Sequence, residues 1–483
     1  MKAPIIMKFG GTSVGDAEQI ERVAAIIAHR PDHPTVIVAS AMAGVTDMLV
    51  SLAQSVKDRA VGHSQLLSDI TERHMRAVVS LHLDPGERTA LRHTMITRLH
   101  ELEEATARLS TQKSSFTKAH YDQIVSFGER LSVELVAAAL RHAGIAAQAV
   151  LATECIVTND RHGDAEPLLD ESAAQVTRVL TPLLVDGVIP VVTGFIGATA
   201  SGDVTTLGRG ASDYTATILG YCLDAYEVWI WTDVTGVLTA DPKLIPDAQT
   251  IDHLSYEEAA ELSHFGAKVL HPLTIVPVSL KKIPIRIKNT FEHTNDGTRV
   301  SSDTPRQPSG VKAVTAKHNL SLVTVRGKGT PAIAHVAAAT FGALAQEKID
   351  IYLISHASSE RNMAFVVASS DSERAANAVR IALSKEEIAH DIDEVHVRDN
   401  ISMVAVVGDG MQQSTGITGQ LFSALGAHRV NVVAVAQGQF ESNMSCVVDS
   451  HDANSAVKSL HHAFNLKGEK SSWQKPFKRL LKR

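Results

Sequence analysis

The N-terminal part of the chain alternates short apolar runs with longer amphipathic stretches, which is the pattern of an α/β fold. Ile5 to Phe9 and Thr35 to Ala39 predict buried strands, and the stretch from about Asp16 to Ala28 predicts a helix between them. Further runs of apolar and β-branched residues predict strands at Val188–Thr193, Glu227–Trp231 and Ile283–Lys288.

Helical periodicity dominates residues 64–110, and Asp84-Pro85-Gly86 predicts a break there between two long helices, because proline and glycine interrupt helices. A further helix is predicted from Phe127 to His142, with Gly144 at the position that commonly ends a helix. The stretch from Asn295 to Gly310 is rich in Ser, Thr, Asp, Pro and Gly, which indicates a linker.

An internal repeat follows this stretch. Val323-Thr-Val-Arg-Gly-Lys-Gly and Val404-Ala-Val-Val-Gly-Asp-Gly are related by a shift of 81 residues. Because the shift keeps glycines and apolar positions in register without gaps, the two copies predict one structural unit used twice. The same shift aligns Phe341 with Phe422, Ile351 with Val432, and Glu360, Asn362 and Met363 with Glu441, Asn443 and Met444.

Each copy predicts the order strand, helix, strand, strand, helix, followed by a closing strand. The second copy runs out before its closing strand, because Asn465 to Arg483 is polar and rich in lysine. A spare strand, Val311 to Thr315, lies just before the first copy. We expect this strand to complete the second unit, which would nest the two units in one another.

Composition and charge narrow the classes of function. The formal net charge of -7 disfavours nucleic acid as the main partner, and the short basic run from Lys475 to Arg483 is interpreted as a solvated end. Cys155, Cys222 and Cys446 lie far apart without a C-x-x-C pair, which favours a reducing, cytoplasmic compartment. The sequence predicts no signal peptide, no membrane span and no zinc spacing among its 23 histidines.

Two common phosphate motifs, G-x-x-x-x-G-K-[ST] and G-x-G-x-x-G after a strand, do not occur in the sequence. Glycine loops at helix N-termini can still bind phosphates through free backbone N–H groups. The first such loop, Lys8 to Ser13, places a lysine and the pair Gly10-Gly11 at the end of a predicted strand. A tight turn with a surface lysine is the alternative.

Two more glycine loops are candidates. Thr206 to Asp213 contains Arg209, whose guanidinium suits a carboxylate, while Ser212 and Asp213 are also favoured as helix caps. The capping and ligand roles are compatible in this loop. Trp231 to Val237, followed by Asp241-Pro242-Lys243, places polar residues where a strand ends and suits a nucleotide pocket.

Two further segments are ambiguous. Ser126 to Arg130 contains the Ser-x-x-Glu of a capping box, and spacing alone favours capping over a role for Glu129 in binding a substrate amino group. In Phe265 to Pro272, Lys268 follows a glycine, and the alternative is simply the end of a helix before the proline.

Together these segments resemble the aspartate kinase branch of the amino-acid kinase superfamily. Their residues are most similar to the kinase portion of bifunctional aspartate kinase–homoserine dehydrogenases. The repeat resembles the two ACT domains of such enzymes. The resemblance implies an α/β amino-acid kinase fold, with a central, mostly parallel sheet and helices on both faces, followed by two α+β ACT domains of βαββαβ order. The matching segments are KFGGTSV (8–14), SAMAGVTD (40–47), SFGER (126–130), TLGRGASDYTA (206–216), WTDVTGVLTADPK (231–243) and FGAKVLHP (265–272).

The resemblance also implies an activity and a division into domains. The γ-phosphate of MgATP would be transferred to the β-carboxylate of L-aspartate, giving 4-phospho-L-aspartate, in the first step of lysine, threonine and methionine biosynthesis. The implied divisions are an amino-acid kinase catalytic domain at 1–300, a linker and strand at 301–318, ACT domains at 319–398 and 399–466, and a basic tail at 467–483.

Residue roles are implied position by position. Lys8 would stabilise the transferring phosphoryl group, and Asp213 would organise the lysines around it. The family pattern favours Glu129 as a substrate ligand, while Leu238 stands where relatives often have a tyrosine beside the nucleotide. The residues implied to hold aspartate are Ser40, Thr46, Glu129, Arg209 and Ser212. Those implied to hold ATP are Lys8, Gly10, Gly11, Thr232, Asp233, Lys243 and Lys268.

The chemistry of this reaction agrees with these roles. A carboxylate with a pKa of about 4 is ionised at neutral pH, so no general base is needed. The difficulty is to bring an anion against a triphosphate, which makes positioning and electrostatic stabilisation the main requirements. Lys8, Lys268, loop amides and Mg²⁺ would supply them, with Mg²⁺ bound through ATP and no side chain assigned as a metal ligand.

The ACT resemblance implies an amino-acid effector. In the bifunctional enzymes a glutamine in each repeat is associated with threonine sensing; Gln437 retains it, whereas His356 stands at the equivalent position of the first repeat. Asn431 is a further effector candidate. Lysine-sensing relatives tend to have an aspartate where this chain has Tyr352, so threonine is favoured and lysine remains the alternative.

ACT domains also imply a homodimer or a homotetramer. Two other functions are compatible with parts of the pattern: a glutamate kinase, and an amino-acid sensor with a degenerate kinase domain. TLGRGASD and the tandem repeat disfavour the first, and the presence of Lys8, Arg209 and Asp213 disfavours the second.

Overall fold

The structure is a computed structural model, and its contacts divide the chain into two units. The first comprises residues 1–237, 252–260 and 269–304, and the second comprises 238–251, 261–268 and 305–483. The described residues are 2–59, 62–111, 115–208, 210–266, 270–303, 310–327, 333–357, 362–384, 392–411, 414–436 and 442–467.

An eight-stranded sheet forms the centre of the first unit, in the order β3-β5-β2-β1-β8-β10-β11-β9. All neighbouring strands are parallel except β10 and β11. The predicted strands are confirmed, and β1 and β2 are buried along their whole length, as expected inside a parallel sheet. The strands are β1 (Ile5–Phe9), β2 (Thr35–Ala39), β3 (Ala147–Val150), β4 (Val157–Thr158), β5 (Ile189–Thr193), β6 (Ile196–Thr199), β7 (Val204–Thr206), β8 (Glu227–Thr232), β9 (His253–Leu254), β10 (Ile285–Asn289) and β11 (Thr298–Val300). Strands β4, β6 and β7 form a separate small sheet.

Helices cover both faces of the main sheet, as the resemblance implied. The predicted helices and the break at Asp84-Pro85-Gly86 are confirmed, and Asp16 caps the first helix by accepting from the Gln19 N–H. No helix in the described part of the chain is both long enough and apolar enough to span a bilayer. The helices are α1 (Ala17–Ala28), α2 (Val45–Lys57), α3 (His63–Ser80), α4 (Pro85–Thr111), α5 (Lys118–Val125), α6 (Phe127–His142), α7 (Leu169–Val185), α8 (Ala211–Cys222), α9 (Tyr256–His264) and α10 (Pro272–Leu280).

The predicted linker from Asn295 to Gly310 is wrong at its start. Strand β11 lies inside it and pairs with Ile285 to Ile287 of β10 in antiparallel register. Thr298 and Val300 are buried and alternate with the partly exposed Arg299, a strand pattern too short to stand out against the polar composition around it. Residues 304–309 lie outside the described part of the chain.

The second unit contains a six-stranded antiparallel sheet in the order β13-β14-β12-β15-β17-β16. Its strands are β12 (Ala313–Gly327), β13 (Leu353–Ala357), β14 (Asn362–Ala368), β15 (Ile392–Val407), β16 (Val432–Ala436) and β17 (Asn443–Asp449). Its helices are α11 (Ile333–Gln346), α12 (Ser372–Ser384), α13 (Ile417–Ala427) and α14 (Ala453–Ala463). The order strand, helix, strand, strand, helix therefore occurs twice, as predicted.

The nesting of the two repeats is confirmed. Ala313 to Thr315 pair antiparallel with Ala405 to Val407 of the second repeat, and Val311 and Val314 are buried in the hydrophobic core of that repeat. Leu320 to Arg326 of β12 pair with β14 of the first repeat and also continue to pair with the first half of β15. One long strand thus serves both units.

A left-handed asparagine marks the junction in each long strand. Asn319 in β12 has φ of 58° and Asn400 in β15 has φ of 57°. The two positions differ by 81 residues (400 minus 319), the shift of the repeat. Asparagine tolerates this conformation better than most residues, and the pairing register shifts between Lys317 and Leu322. The repeat therefore extends further towards the N-terminus than the glycine loops indicate.

The nested strand predicts a local effect of mutation. We expect Val314→Ala to lower the free energy of unfolding of the second repeat by about 2 kcal/mol, because it removes buried methyl groups from that core. Hydrogen exchange should accelerate in Asn443–Asp449 and much less in Asn362–Ala368. Val325→Ala, in the first-repeat half of the same strand, should show the reverse, and faster exchange of Asn362–Ala368 in Val314→Ala would contradict the assignment.

Candidate active site

A cleft of about 770 Å³ opens where β1 and β2 end in the first unit. Parallel strands bring the loops at their carboxyl ends to one edge of a sheet, which is where such folds bind ligands. Helices α2 and α8 also begin at this cleft. The predicted site residues that line it are Lys8, Gly11, Ser40, Thr46, Glu129, Ser212 and Asp213.

Lys8 and Asp213 form a largely buried ion pair. Lys8 Nζ lies 2.5 Å from Asp213 Oδ1, and the two side chains are 11% and 15% exposed. Met7 and Phe9, the neighbours of Lys8 in β1, point to the opposite face and its hydrophobic core. The alternative of a surface lysine at a tight turn is therefore wrong, because the alternation of the strand turns Lys8 towards α8.

The Gly10-Gly11 turn keeps the backbone beside this lysine close to its neighbours. The Gly10 N–H donates to the Trp231 carbonyl of β8 at 3.2 Å. A Cβ at Gly11 would lie 3.0 Å from the Ala41 carbonyl, so a larger residue would push against the loop that follows β2. These glycines permit close backbone approach, which is what a phosphate-binding loop requires.

Helix α8 begins without a side-chain cap. Its N-cap residue is Gly210, with φ of 70°, and Ser212 and Asp213 lie in the first turn. The capping role considered for them is therefore wrong. A Cβ at Gly194 would lie only 2.5 Å from Ser212 Oγ, which shows how tightly the end of β5 packs against this turn. The helix thus presents uncapped N–H groups and two polar side chains at the cleft.

Glu129 is a ligand candidate and not a capping residue. Ser126 has helical dihedral angles, and its hydroxyl donates to the Gln123 carbonyl at 2.8 Å, so the predicted capping box is not formed. Glu129 Oε1 accepts from the Ala41 N–H at 3.1 Å, whereas Oε2 is buried without a hydrogen-bond partner among the described residues. Burial raises the pKa of Glu129 to about 8. A cationic ligand beside Oε2 would therefore favour the ionised form of this carboxyl group.

Ser40 and Thr46 flank the loop between β2 and α2. The Ser40 N–H donates to the Phe9 carbonyl at 3.1 Å, which ties this loop to the end of β1. Thr46 lies in the first turn of α2, whose N-cap is Gly44 with φ of 78° and no side-chain cap. Two uncapped helix N-termini therefore open on one cleft, an arrangement that favours anions.

The predicted nucleotide residues are not all brought together among the described residues. Thr232 ends β8, next to β1, and its hydroxyl donates to Asp233 Oδ1 at 3.1 Å; neither residue lines the cleft. Lys243 is exposed and belongs to the second unit, where its N–H donates to Asp241 Oδ1 at 2.9 Å. Lys268 lies outside the described residues.

Other predicted site residues also lie outside the described part of the chain. Arg209, between Gly208 and Gly210, is one of them, and so is Gln437 in the second unit. His356 is in β13, but its side chain is not described. Asn431 is exposed and immediately precedes β16.

Sequence reasoning missed Asp122. It lies in α5, is fully buried, and accepts hydrogen bonds from Gly163 and Thr206, both of which line the cleft. Burial raises the pKa of this carboxyl group. The only sequence signal is an acidic residue four positions before Ser126 in an amphipathic stretch, and such residues are usually solvent-exposed. Phe195, which lines the cleft with φ of 69°, was also missed.

Two known protein families match the chain, one in its N-terminal part and one in the internal repeat. Residues 3–289 match the amino acid kinase family. Residues 323–383 and 404–464 each match the ACT domain. The two ACT matches begin 81 residues apart (404 minus 323), the shift of the internal repeat.

Individual relatives cover nearly the whole chain. Bifunctional aspartokinase/homoserine dehydrogenase 1 of Arabidopsis thaliana is 32% identical over 95% of this chain and 51% of its own length, so the chain spans about half of such relatives. Aspartokinase 1 of Arabidopsis thaliana is 31% identical over 96% of this chain and 81% of its own length. The structure of Escherichia coli aspartokinase III with aspartate and ADP is 29% identical, with a TM-score of 0.80, and covers 95% of this chain and 99% of that one. The same enzyme has also been solved with lysine and aspartate.

Proposed function

Because the chain belongs to the amino acid kinase family, in its aspartokinase branch, we propose that it is an aspartate kinase that phosphorylates the β-carboxylate of L-aspartate from MgATP. One observation carries the proposal: a buried Lys8–Asp213 pair and a Glu129 carboxyl oxygen without a partner among the described residues line one cleft between two uncapped helix N-termini. This cleft offers cationic and N–H groups to a phosphate and an anionic group to an ammonium.

The cleft suits aspartate because the amino acid carries two carboxylates and one ammonium. Glu129 would bind the ammonium, and Arg209 would bind a carboxylate through its guanidinium. Ser40, Thr46 and Ser212 would donate to the remaining oxygens. The β-carboxylate is ionised at neutral pH and attacks without a general base.

Phosphoryl transfer then depends on charge placement. Lys8 would neutralise the transferring phosphoryl group, and Asp213 would hold the Lys8 ammonium in place at 2.5 Å. Gly10, Gly11, Thr232, Asp233, Lys243 and Lys268 complete the proposed nucleotide contacts. Mg²⁺ would arrive bound to the ATP phosphates and screen their charge, and we assign it no side-chain ligand.

We extend the proposal to feedback regulation, with threonine as the favoured effector and lysine as the alternative. Tyr352 stands where an acidic residue would favour lysine, and Lys317 Nζ already lies 3.7 Å from the centroid of its ring. That ammonium would repel a second cation at the same position. The proposed effector contacts remain Gln437, His356 and Asn431.

Assembly and location complete the proposal. A homodimer or homotetramer would form through the ACT domains, as the resemblance implies. A cytoplasmic location agrees with Cys155, Cys222 and Cys446, which are free and buried thiols, although the plant relatives are chloroplastic by name. The reaction would start the synthesis of lysine, threonine and methionine.

The function is tested by trapping the acyl phosphate with hydroxylamine. With MgATP we expect hydroxamate from aspartate and at least about 100-fold less from glutamate, because a site fitted to the shorter acid misplaces the longer one. The same assay with added threonine or lysine identifies the effector. Hydroxamate from glutamate in preference to aspartate would reject the assignment, and inhibition by lysine alone would reject threonine.

Removing the ion pair should abolish turnover and preserve the fold. We expect Lys8→Ala and Asp213→Ala each to lower kcat at least about 100-fold, because each removes charge placement that acts on the transferring phosphoryl group. Lys281→Ala is a matched control, because Lys281 pairs with Asp224 at 2.5 Å in the same unit but is more exposed. Near-normal turnover of both site variants, with circular dichroism unchanged, would contradict the roles of Lys8 and Asp213.

Aspartate binding should release protons near neutral pH. Glu129, with a pKa raised to about 8, is mostly protonated at pH 7, and the substrate ammonium favours its ionised form. KM for aspartate should therefore fall as pH rises towards 8, by up to about tenfold per pH unit, and level off above that value. Calorimetry at pH 7 in buffers of different ionisation enthalpy measures the released protons. Glu129→Gln should bind aspartate weakly and without proton release; an unchanged release in this variant would assign it to another group.

A further inference from the structure

We propose that Asp122 is a positioning residue for the candidate aspartate site: it holds Gly163 and Thr206, which line one wall of the cleft. This inference rests on the proposed function, because it assigns Asp122 an effect on aspartate binding. Asp122 does not itself line the cleft, so it acts through the residues that it holds.

One buried carboxylate joins three segments of the chain. Asp122 belongs to α5, and its side chain is 0% exposed. Its Oδ2 accepts from the Gly163 N–H at 2.9 Å, from His162 Nδ1 at 3.0 Å and from the Thr206 N–H at 3.3 Å. Its Oδ1 accepts from the Thr206 hydroxyl at 2.7 Å. The four donors therefore come from the loop around Gly163 and from the last residue of β7.

Only a carboxylate satisfies this set of donors. Two N–H groups, one ring nitrogen and one hydroxyl converge on Asp122, and an ionised carboxylate accepts at both oxygens without offering a competing donor. An asparagine of the same size would place an NH₂ group against one of these donors. Burial of a charge is unfavourable without such compensation, so the position is defined by its hydrogen bonds more than by packing.

The held segments form one wall of the cleft. Gly163, Thr206 and Gly208 all line it. The Ala165 N–H donates to the Thr206 carbonyl at 2.9 Å, so the backbone of β7 is held on both sides. A Cβ at Gly208 would lie 2.7 Å from Asp164 Oδ1, which leaves this turn little room to shift.

Gly208 follows Thr206 by two residues and lines the same wall. The two hydrogen bonds from Thr206 to Asp122 thus set the position of this wall. A displacement of the wall would change the space that the cleft offers to the carboxylates of aspartate. Lys8 and Asp213 make no described contact with Asp122, so the phosphoryl-transfer pair should be less affected.

The test is Asp122→Asn, with Glu227→Gln as the matched control. Glu227 is another buried carboxylate that accepts from several donors, among them Arg286 and Arg299, but it starts β8 and pairs in register with Ile5, at the opposite edge of the sheet. Both changes replace one buried oxygen by an NH₂ group, so both should lower thermal stability.

The two variants should differ in kinetics. We expect Asp122→Asn to raise KM for aspartate between about tenfold and 100-fold, with KM for ATP and kcat each within about threefold of wild type. Glu227→Gln should leave both KM values near wild type. Titration calorimetry with aspartate alone should show the same loss of affinity in Asp122→Asn.

Substitution of the partner residue provides a second measurement. Thr206→Val removes the hydroxyl that donates to Asp122 and should also raise KM for aspartate. Thr206→Ser keeps the hydroxyl, so its KM for aspartate should stay near the wild-type value. Equal effects of Val and Ser, or an unchanged KM for aspartate in Asp122→Asn, would overturn the inference. So would an equal rise of both KM values, or a fall of the apparent kcat that matches the loss of folded protein while both KM values stay unchanged. A wild-type protein that makes no aspartyl phosphate would instead reject the proposed function itself.

Discussion

The ion pair between Lys8 and Asp213 is the interaction on which the cleft of the first unit depends. A lysine inside a buried parallel strand is unfavourable unless its charge is compensated, and Asp213, in the first turn of α8, supplies that compensation at 2.5 Å. The pair fixes α8 against the end of β1. With α8 in this position, its uncapped first turn lines the same cleft as the turns that follow β1 and β2. The geometry of the cleft follows from satisfying one buried charge.

Much of this fold was predictable because apolar runs and glycines carry strong local signals. Ile5–Phe9 and Thr35–Ala39 matched to the residue, and counting the strands of the repeat indicated the nested strand before the pairing of Ala313 with Val407 showed it. Strand β11 was missed because three residues in a polar stretch give too little periodicity. The Asn319 and Asn400 junctions were equally invisible, since a single asparagine is common in loops.

Candidate site residues were predictable where the residue type and its neighbours in sequence indicate the role. They were less predictable where the role depends on contacts with residues distant in sequence. Lys8 was a candidate from its place before two glycines, and it does line the cleft. The capping box at Ser126 was wrong because α5 and α6 follow each other with Ser126 still helical, so the residue never reaches the extended conformation of an N-cap. A capping box does occur at Thr117 and His120, where no Glu or Gln signalled it. Asp122 depends on partners distant in sequence, which spacing along the chain cannot reveal.

The strands shared by the two repeats determine whether this tandem can be divided by truncation. Residues 313–317 serve one repeat and residues 320–327 the other, and β15 is divided in the same way. Neither repeat can therefore be excised by trimming the chain from one end, because each cut removes part of a central strand that pairs within the other repeat. The two copies of the repeat therefore form one indivisible folding unit.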